Sequence, residues 1–306
     1  MLTRTTMSRR HFAALVPAIV VLPGNASRAI AQTDQVTPAA SAWSDLDLPE
    51  LDIIYGAEAL EGVPESIVAD RYLLTVTGDA NVALEHDGGV MFVRLPEGVS
   101  MEDALGAAPA DGPPSWYYEA LLPGGTILPA GEGGSSATTI IDLAPGEWFA
   151  AGAQLSRPPV PFTVTGEMPA NLTEPASNAT VTMSDFAIEV TSGSLREGEN
   201  VVRLENTGVQ PHFVSFQQVP DGTTAENIGA TLEGEMTGTP GPGAVDFTDI
   251  VPIATSSDLS TNTTMWMTVT FDPGTYVGLC FIPDPGSGMP HAMMGMYAIF
   301  TVEAAG

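Results

Sequence analysis

The chain has 306 residues, 44% apolar and 15% charged, which excludes a disordered protein and leaves room for one large domain or two of ordinary size. Nine basic residues face 37 acidic ones, a formal charge of −28, and a surface of that sign repels nucleic acid and anionic lipid. With 32 Gly and 26 Pro punctuating short apolar runs, the composition predicts an all-β protein.

In chain order, the first element stands outside the fold. Arg4, Arg9 and Arg10 precede an apolar run over 12–22 and a small-x-small cleavage site, Ala29-Ile30-Ala31. This is the layout of a secretory signal over 1–31. The run is too short to cross a bilayer, which takes about 20 residues. Ser8-Arg9-Arg10-His11-Phe12 resembles the twin-arginine export signal of bacteria. The expected location is periplasmic or extracellular, with the mature chain starting at Gln32. That mature chain carries five Arg against the same 37 acids, a formal −32, which suits a basic partner. No later segment is long enough to span a membrane.

Residues 32–44 read as a flexible leader rich in Ala, Thr, Ser and Gln. Globular regions follow over 45–166 and 179–304, joined by a linker over 167–178 that has two Pro, two Asn and no apolar periodicity. The two regions repeat each other in order and spacing. Strands over 71–77 and 90–95 correspond to strands over 200–206 and 213–219. Each second strand runs into a Pro-acid-Gly turn, at Pro96-Glu97-Gly98 and Pro220-Asp221-Gly222, followed by a short helical stretch, 101–106 and 225–232. Each region then has Pro-Gly-x-aromatic, Pro145-Gly146-x-Trp148 and Pro273-Gly274-x-Tyr276, and closes on Phe-Thr-Val, at 162–164 and 300–302. Further strands are expected over 180–183, 187–191, 264–271, 276–282 and 296–302, with a surface loop over 234–243. Strands in this number predict two tandem β-sandwiches.

The chemistry concentrates in the second region. It contains the one cysteine of the chain, Cys280, which cannot form an intrachain disulfide. An exported free thiol is oxidised unless it is buried, paired between chains or bound to metal. Two of the three histidines of the mature chain lie in the same region: His212 at a strand start and His291 after a turn-rich loop from Cys280. Met296 follows His291 at the start of the last strand. Two imidazoles, a thiolate and a weak thioether suit copper cycling between its two oxidation states. Zinc could take the same nitrogen and sulfur ligands, but a thioether does not suit it. A buried inert thiol with two core histidines is the plain alternative. Met265 and Met267 alternate in a strand and belong to the core. Met289, Met293 and Met294 lie on the ligand loop, as an apolar docking rim or a surface that handles copper(I).

The ordered set Asn206, Pro211-His212, Gly274-x-Tyr276, Cys280, His291 and Met296 resembles the cupredoxins, the blue-copper domains of plastocyanin, pseudoazurin and nitrite reductase. The likeness covers about 125 residues and implies a Greek-key sandwich of about eight strands. It also implies one type 1 copper held through Nδ1 of His212 and His291, Sγ of Cys280 and Met296, with Met296 preferred over Met294 by family spacing. Two features depart from the family. Phe213 stands where an Asn tying the ligand loops is usual, and the loop between Cys280 and His291 is long.

The first region lacks the ligands. Aligning Phe92 with Phe216 puts Gly88 at the position of His212, and aligning Trp148 with Tyr276 puts Gly152 at that of Cys280. His86 reads as a loop histidine. The expected function is electron transfer to a redox partner, such as a basic cytochrome-like protein, with His291 nearest solvent as the electron port. The alternatives are copper transport or buffering, and a structural sandwich that has lost metal. An enzyme is not expected: a trinuclear or second copper site needs more histidines than the chain has, and no hydrolase or phosphate-loop motif is present.

Overall fold

The structure, a computed structural model, describes residues 42–304 except 44, 83, 85–87, 107–112, 129–132 and 154–156 and the side chains of 105 and 106. The signal, most of the leader and His86 lie outside the described residues. The first half contains β1 (Glu50–Tyr55), β2 (Leu60–Glu61), β3 (Ser66–Val68), β4 (Asp70–Gly78), β5 (Gly89–Arg94), α1 (Met101–Gly106), β6 (Gly125–Ile127), β7 (Ser136–Leu143), β8 (Gly146–Gly152) and β9 (Val160–Thr165). The second contains β10 (Ala179–Ser184), β11 (Ala187–Gly193), β12 (Gly198–Asn206), β13 (Ser215–Val219), α2 (Ala225–Thr237), β14 (Val251–Thr255), β15 (Thr264–Phe271), β16 (Gly274–Leu279) and β17 (Tyr297–Val302).

Alternation of side chains makes these strands. Along β12, Val202, Leu204 and Asn206 are buried while Val201, Arg203 and Glu205 take the other face. Strand pairing reproduces the duplication. In the first copy β1 pairs parallel with β4, β4 antiparallel with β7, and β5 lies between β6 and β8, with β9 beyond. In the second β10, β12 and β15 pair in the same senses, and β13 lies between β14 and β16, with β17 beyond. Register agrees as well: Phe92 faces Ala150 where Phe216 faces Gly278, so Gly152 takes the place of Cys280. The two tandem Greek-key, cupredoxin-like sandwiches expected from the sequence are present.

The repeated Pro-Gly-x-aromatic motif now has a reason. Trp148 Nε1 donates to Ala144 O and Tyr276 Oη donates to Asp272 O, both at 2.8 Å and both four residues back. Each ring is buried yet satisfies its polar end by closing the preceding turn. Around Tyr276 the core stacks edge to face, with Phe271–Tyr276 centroids 5.0 Å apart and Phe216–Phe271 centroids 5.6 Å apart. Such pairs contribute about 0.5–1.5 kcal/mol each beyond their buried area.

The two copies share a sheet. β15 pairs antiparallel with β7, Trp266 opposite Ile140, which joins the inner sheets into one of eight strands in the order β11-β10-β12-β15-β7-β4-β1-β2. Trp43, placed in the leader by the sequence, is buried against Ile140 and Trp266 on this seam. The linker is fastened too. Arg71 forms a bidentate pair with Asp142, donates to Thr173 O and lies 4.4 Å over the Trp266 ring, while Glu174 pairs with Arg203 at 2.8 Å.

One expectation needs correction. The stretch 234–243 is not all loop, because α2 runs on to Thr237. Gly234 is helical and its bare Cα faces Pro240, where a Cβ would come within 2.9 Å of backbone. The stop is Gly238, left-handed at φ 71°. At the other end Thr224 and Asn227 exchange side-chain bonds as a capping box.

Candidate metal centre

Backbone ties bring three distant residues to one point. Leu259 bridges His212 in both directions, at 2.9 and 2.8 Å, holding it just ahead of β13 rather than inside it. Cys280 follows the end of β16, and Met296 precedes β17, its antiparallel partner. Between them the ligand loop folds back on itself. His291 N donates to Ile282 O, Ala292 N to Cys280 O and Met296 N to His291 O. Gly295 turns the chain at φ 102°, a conformation that favours glycine.

His212, Cys280 and His291 are fully buried, and their donor atoms converge. The two Nδ1 atoms are 3.1 Å apart, and Cys280 Sγ lies 3.9 Å from that of His212 and 3.6 Å from that of His291. Among the described residues this is the one such convergence of histidine, cysteine and carboxylate groups.

The outer nitrogens fix the tautomers. His212 Nε2 donates to Asp185 Oδ1 at 2.8 Å. His291 Nε2 meets Gln210 Oε1 at 3.0 Å, and the Gln210 amide is oriented by its own NH₂, which donates to Asp284 Oδ2 at 3.0 Å. Asp284 is a pure acceptor, so the oxygen of Gln210 must face His291. Both rings therefore carry their proton on Nε2 and turn bare Nδ1 lone pairs inward.

The titration of the group follows from burial. Burial pushes His212 below the ordinary imidazole range, against the pull of Asp185. Burial, then the neighbouring His212, takes His291 down to about 4. Burial drives the Cys280 thiol up to about 12, although the N–H groups of Phe213 and Ile282 point at its sulfur. For Asp185, burial works upward, but the Val209 N–H and His212 outweigh it and hold the carboxyl below its usual value. Three neutral donors thus share a dry pocket, an arrangement a metal cation would complete.

The structure alters several details read from the sequence. Asn206 ties the segment before His212 to Leu259: its NH₂ donates to Gln210 O and Leu259 O, and its oxygen accepts from Gly208 N. His291 is not near solvent. It is fully buried, with the Phe186 ring 4.9 Å away edge-on and Gln210 across its outer nitrogen, so the port expected at its edge is closed. Met293 faces α2, lining a cavity of about 80 Å³ with Ile228, Leu232 and Phe281 rather than standing on a rim. Met294 Sδ lies 3.8 Å from Ser287 Oγ, whose one proton goes to Asp284 Oδ1 at 2.8 Å, whereas Met296 is fully buried. Met265 and Met267 are core, as expected.

In the first copy apolar side chains fill the equivalent place: a Cβ on Gly88 would lie 2.6 Å from Leu84 Cδ2 and 3.0 Å from Tyr55 Cε1. That copy still reaches the second one. Tyr118 Oη donates to Pro283 O at the base of the ligand loop, and Tyr117 Oη to Asp258 Oδ2, both at 2.7 Å. The sequence pointed to none of Asp185, Phe186, Gln210 and Asp284. Gln210 alone had a cue, two residues before His212.

The second copy is cupredoxin-like. It unites the sandwich, the His-Cys-His convergence and a ligand loop between adjacent antiparallel strands. No protein-family model matches the chain, and no curated protein matches it significantly. Among solved structures it is similar to the reduced auracyanin of Roseiflexus castenholzii, at 22% identity over 40% of this chain and 94% of that one, TM-score 0.26. It is also similar to auracyanin A, a "blue" copper protein of Chloroflexus aurantiacus, at 22% identity over 40% and 98%, TM-score 0.27. A third is the azurin Az-iso2 of Methylomonas sp. strain J, at 15% identity over 42% and 96%, TM-score 0.26. No helix among the described residues is long and apolar enough to cross a membrane.

Proposed function

We propose that the chain is an exported protein that holds one copper ion as a type 1 (blue) site and passes single electrons to a redox partner. His212 and His291 bind through Nδ1, Cys280 through Sγ and Met296 as the weak thioether. The reading is carried by two unprotonated Nδ1 atoms facing each other at 3.1 Å beside a buried thiol. Two lone pairs at that distance repel unless a cation joins them. A proton there would leave a buried imidazolium, which the dry pocket disfavours. Two imidazoles and a soft sulfur select copper over harder ions.

Bound copper supplies one-electron exchange between its two oxidation states. The residues of this chain supply the rest. Asp185 and Gln210 hold the imidazole planes, the backbone bonds of the 280–296 loop fix the donors beforehand, and Phe186 keeps water off His291. A site shaped in advance changes little when its charge changes. Met296 is favoured as the fourth ligand because it is fully buried and its backbone N–H is bonded to His291 O, while Met294 is only partly buried.

Copper buffering is the weaker reading, since Met293 is half-buried and lines a cavity beside α2. The signal over 1–31 supports a periplasmic or extracellular location, and the acidic surface supports a basic, cytochrome-like partner. No catalysis is assigned, because two of the three mature histidines are used by this one site. The test is the absorption spectrum of the mature protein with copper(II). An intense visible band, lost in Cys280→Ser, is expected; a colourless wild-type complex would overturn the reading.

A further inference from the structure

The two histidines are backed unequally. Behind His291 stands a neutral amide, Gln210, with the Asp284 carboxylate one hydrogen bond farther out. Behind His212 stands a full negative charge, the Asp185 carboxylate, in direct contact at 2.8 Å with a fully buried ring. Its side chain is only 23% exposed. The other oxygen, Oδ2, accepts the Val209 N–H at 2.8 Å, so the carboxylate cannot swing away without losing a second bond.

A second observation shows that room is kept for this contact. Gly208 lies against the pair, and a Cβ there would stand 2.6 Å from Asp185 Oδ1 and 2.7 Å from His212 Nε2. Gly208 is buried and in turn donates to Asn206 Oδ1, which anchors the 207–211 segment. The backbone does not need glycine for a left-handed turn at this point; the space does.

We propose that Asp185 is a positioning residue that, through His212, favours the higher oxidation state of the metal and so lowers its reduction potential. The inference rests on the copper reading above. A fixed anion in a low-dielectric setting stabilises a doubly charged cation more than a singly charged one. A carboxylate bonded to the outer nitrogen of a ligand imidazole also raises the basicity of the inner one. The step concerned is the gain of one electron by copper(II) to give copper(I), with the electron supplied by the reductant of the titration and no bond broken in the protein.

The experiment is an anaerobic redox titration of the full mature protein, wild type against Asp185→Asn, with copper(II) and copper(I) affinities measured in parallel. Asparagine keeps an acceptor facing His212 and removes the charge, losing with it the Val209 N–H bond, which the copper(I) affinity controls for. The visible band should persist. Copper(II) affinity should fall about tenfold with copper(I) affinity nearly unchanged, a rise of about 59 mV for a one-electron couple. An unchanged or lower potential, or equal weakening of both oxidation states, would overturn the proposal by reducing Asp185 to a structural role. Should Asp185→Asn fail to fold, Gly208→Ala keeps both side chains and pushes them apart, and the potential should again rise. In the diamagnetic copper(I) form of the wild type, His212 Nε2 should carry a strongly deshielded, slowly exchanging proton; its absence counts against the proposal. A wild type that gives no blue site at all defeats the copper reading itself, a result distinct from a blue site whose potential ignores Asp185.

Discussion

Cys280 sets the acid-base behaviour of the site. Its thiol titrates at about 12 without metal, while His212 and His291 are held below the imidazole range. Between pH about 6 and 9 the metal-free site therefore holds one proton that a metal must displace, the one on sulfur. Copper affinity should strengthen about tenfold per pH unit across that window, as competition against a chelator of known pH dependence would measure. A flat profile would mean the thiolate is already present. The three converging donors, His212, Cys280 and His291, were legible in the sequence because one cysteine and few histidines leave little choice. Their supports were not. Asp185 and Asp284 are two acids among 37, each in a turn, where nothing in the sequence separates a residue behind a histidine from one facing solvent.

At the scale of elements, period and turn chemistry located most of the strands, and the duplication was visible because both copies reuse the same turn closures. The aromatic of each Pro-Gly-x-aromatic motif is buried with its polar end tied four residues back. The helix end was misjudged because a glycine can stop a helix or let another segment approach it. Gly234 does the second, beside Pro240, and only Gly238 has the left-handed conformation of a stop. The two should respond differently to alanine. Gly238→Ala should cost about 1 kcal/mol from backbone strain alone, read as a lower urea midpoint with unchanged slope. Gly238→Asn should recover part of the loss, since asparagine tolerates that conformation. No such rescue is expected for Gly234→Asn, where the obstacle is Pro240.

At the scale of the whole molecule, the halves are joined by a sheet, by Trp43 over the seam, by Arg71 lying over the Trp266 ring, and by Tyr117 and Tyr118. The sequence identified two regions and a linker, but edge-to-edge pairing of β7 with β15 leaves no trace in either strand taken alone. Asp258, which accepts from Tyr117 across the two halves, is raised to about 6 by burial, with the Tyr117 bond working the other way. Its folded value exceeds its unfolded one. Between pH about 4 and 6 the folded chain keeps a proton that the unfolded chain has lost, and stability falls as pH rises through that window. Asp258→Asn should remove this slope, so that its melting temperature relative to wild type climbs from pH 4 to pH 7. A constant difference would place the carboxylate in solvent.

Joining the two inner sheets has one more effect. Separate sandwiches would offer four open rows of backbone donors and acceptors along those sheets, and the fusion consumes two of them. What remains is β2, only two residues long, and β11, which is irregularly matched to β10 near Thr180 and Val181. Neither gives an incoming chain a straight template to zip along, so crowded molecules should find little on these flanks on which to polymerise.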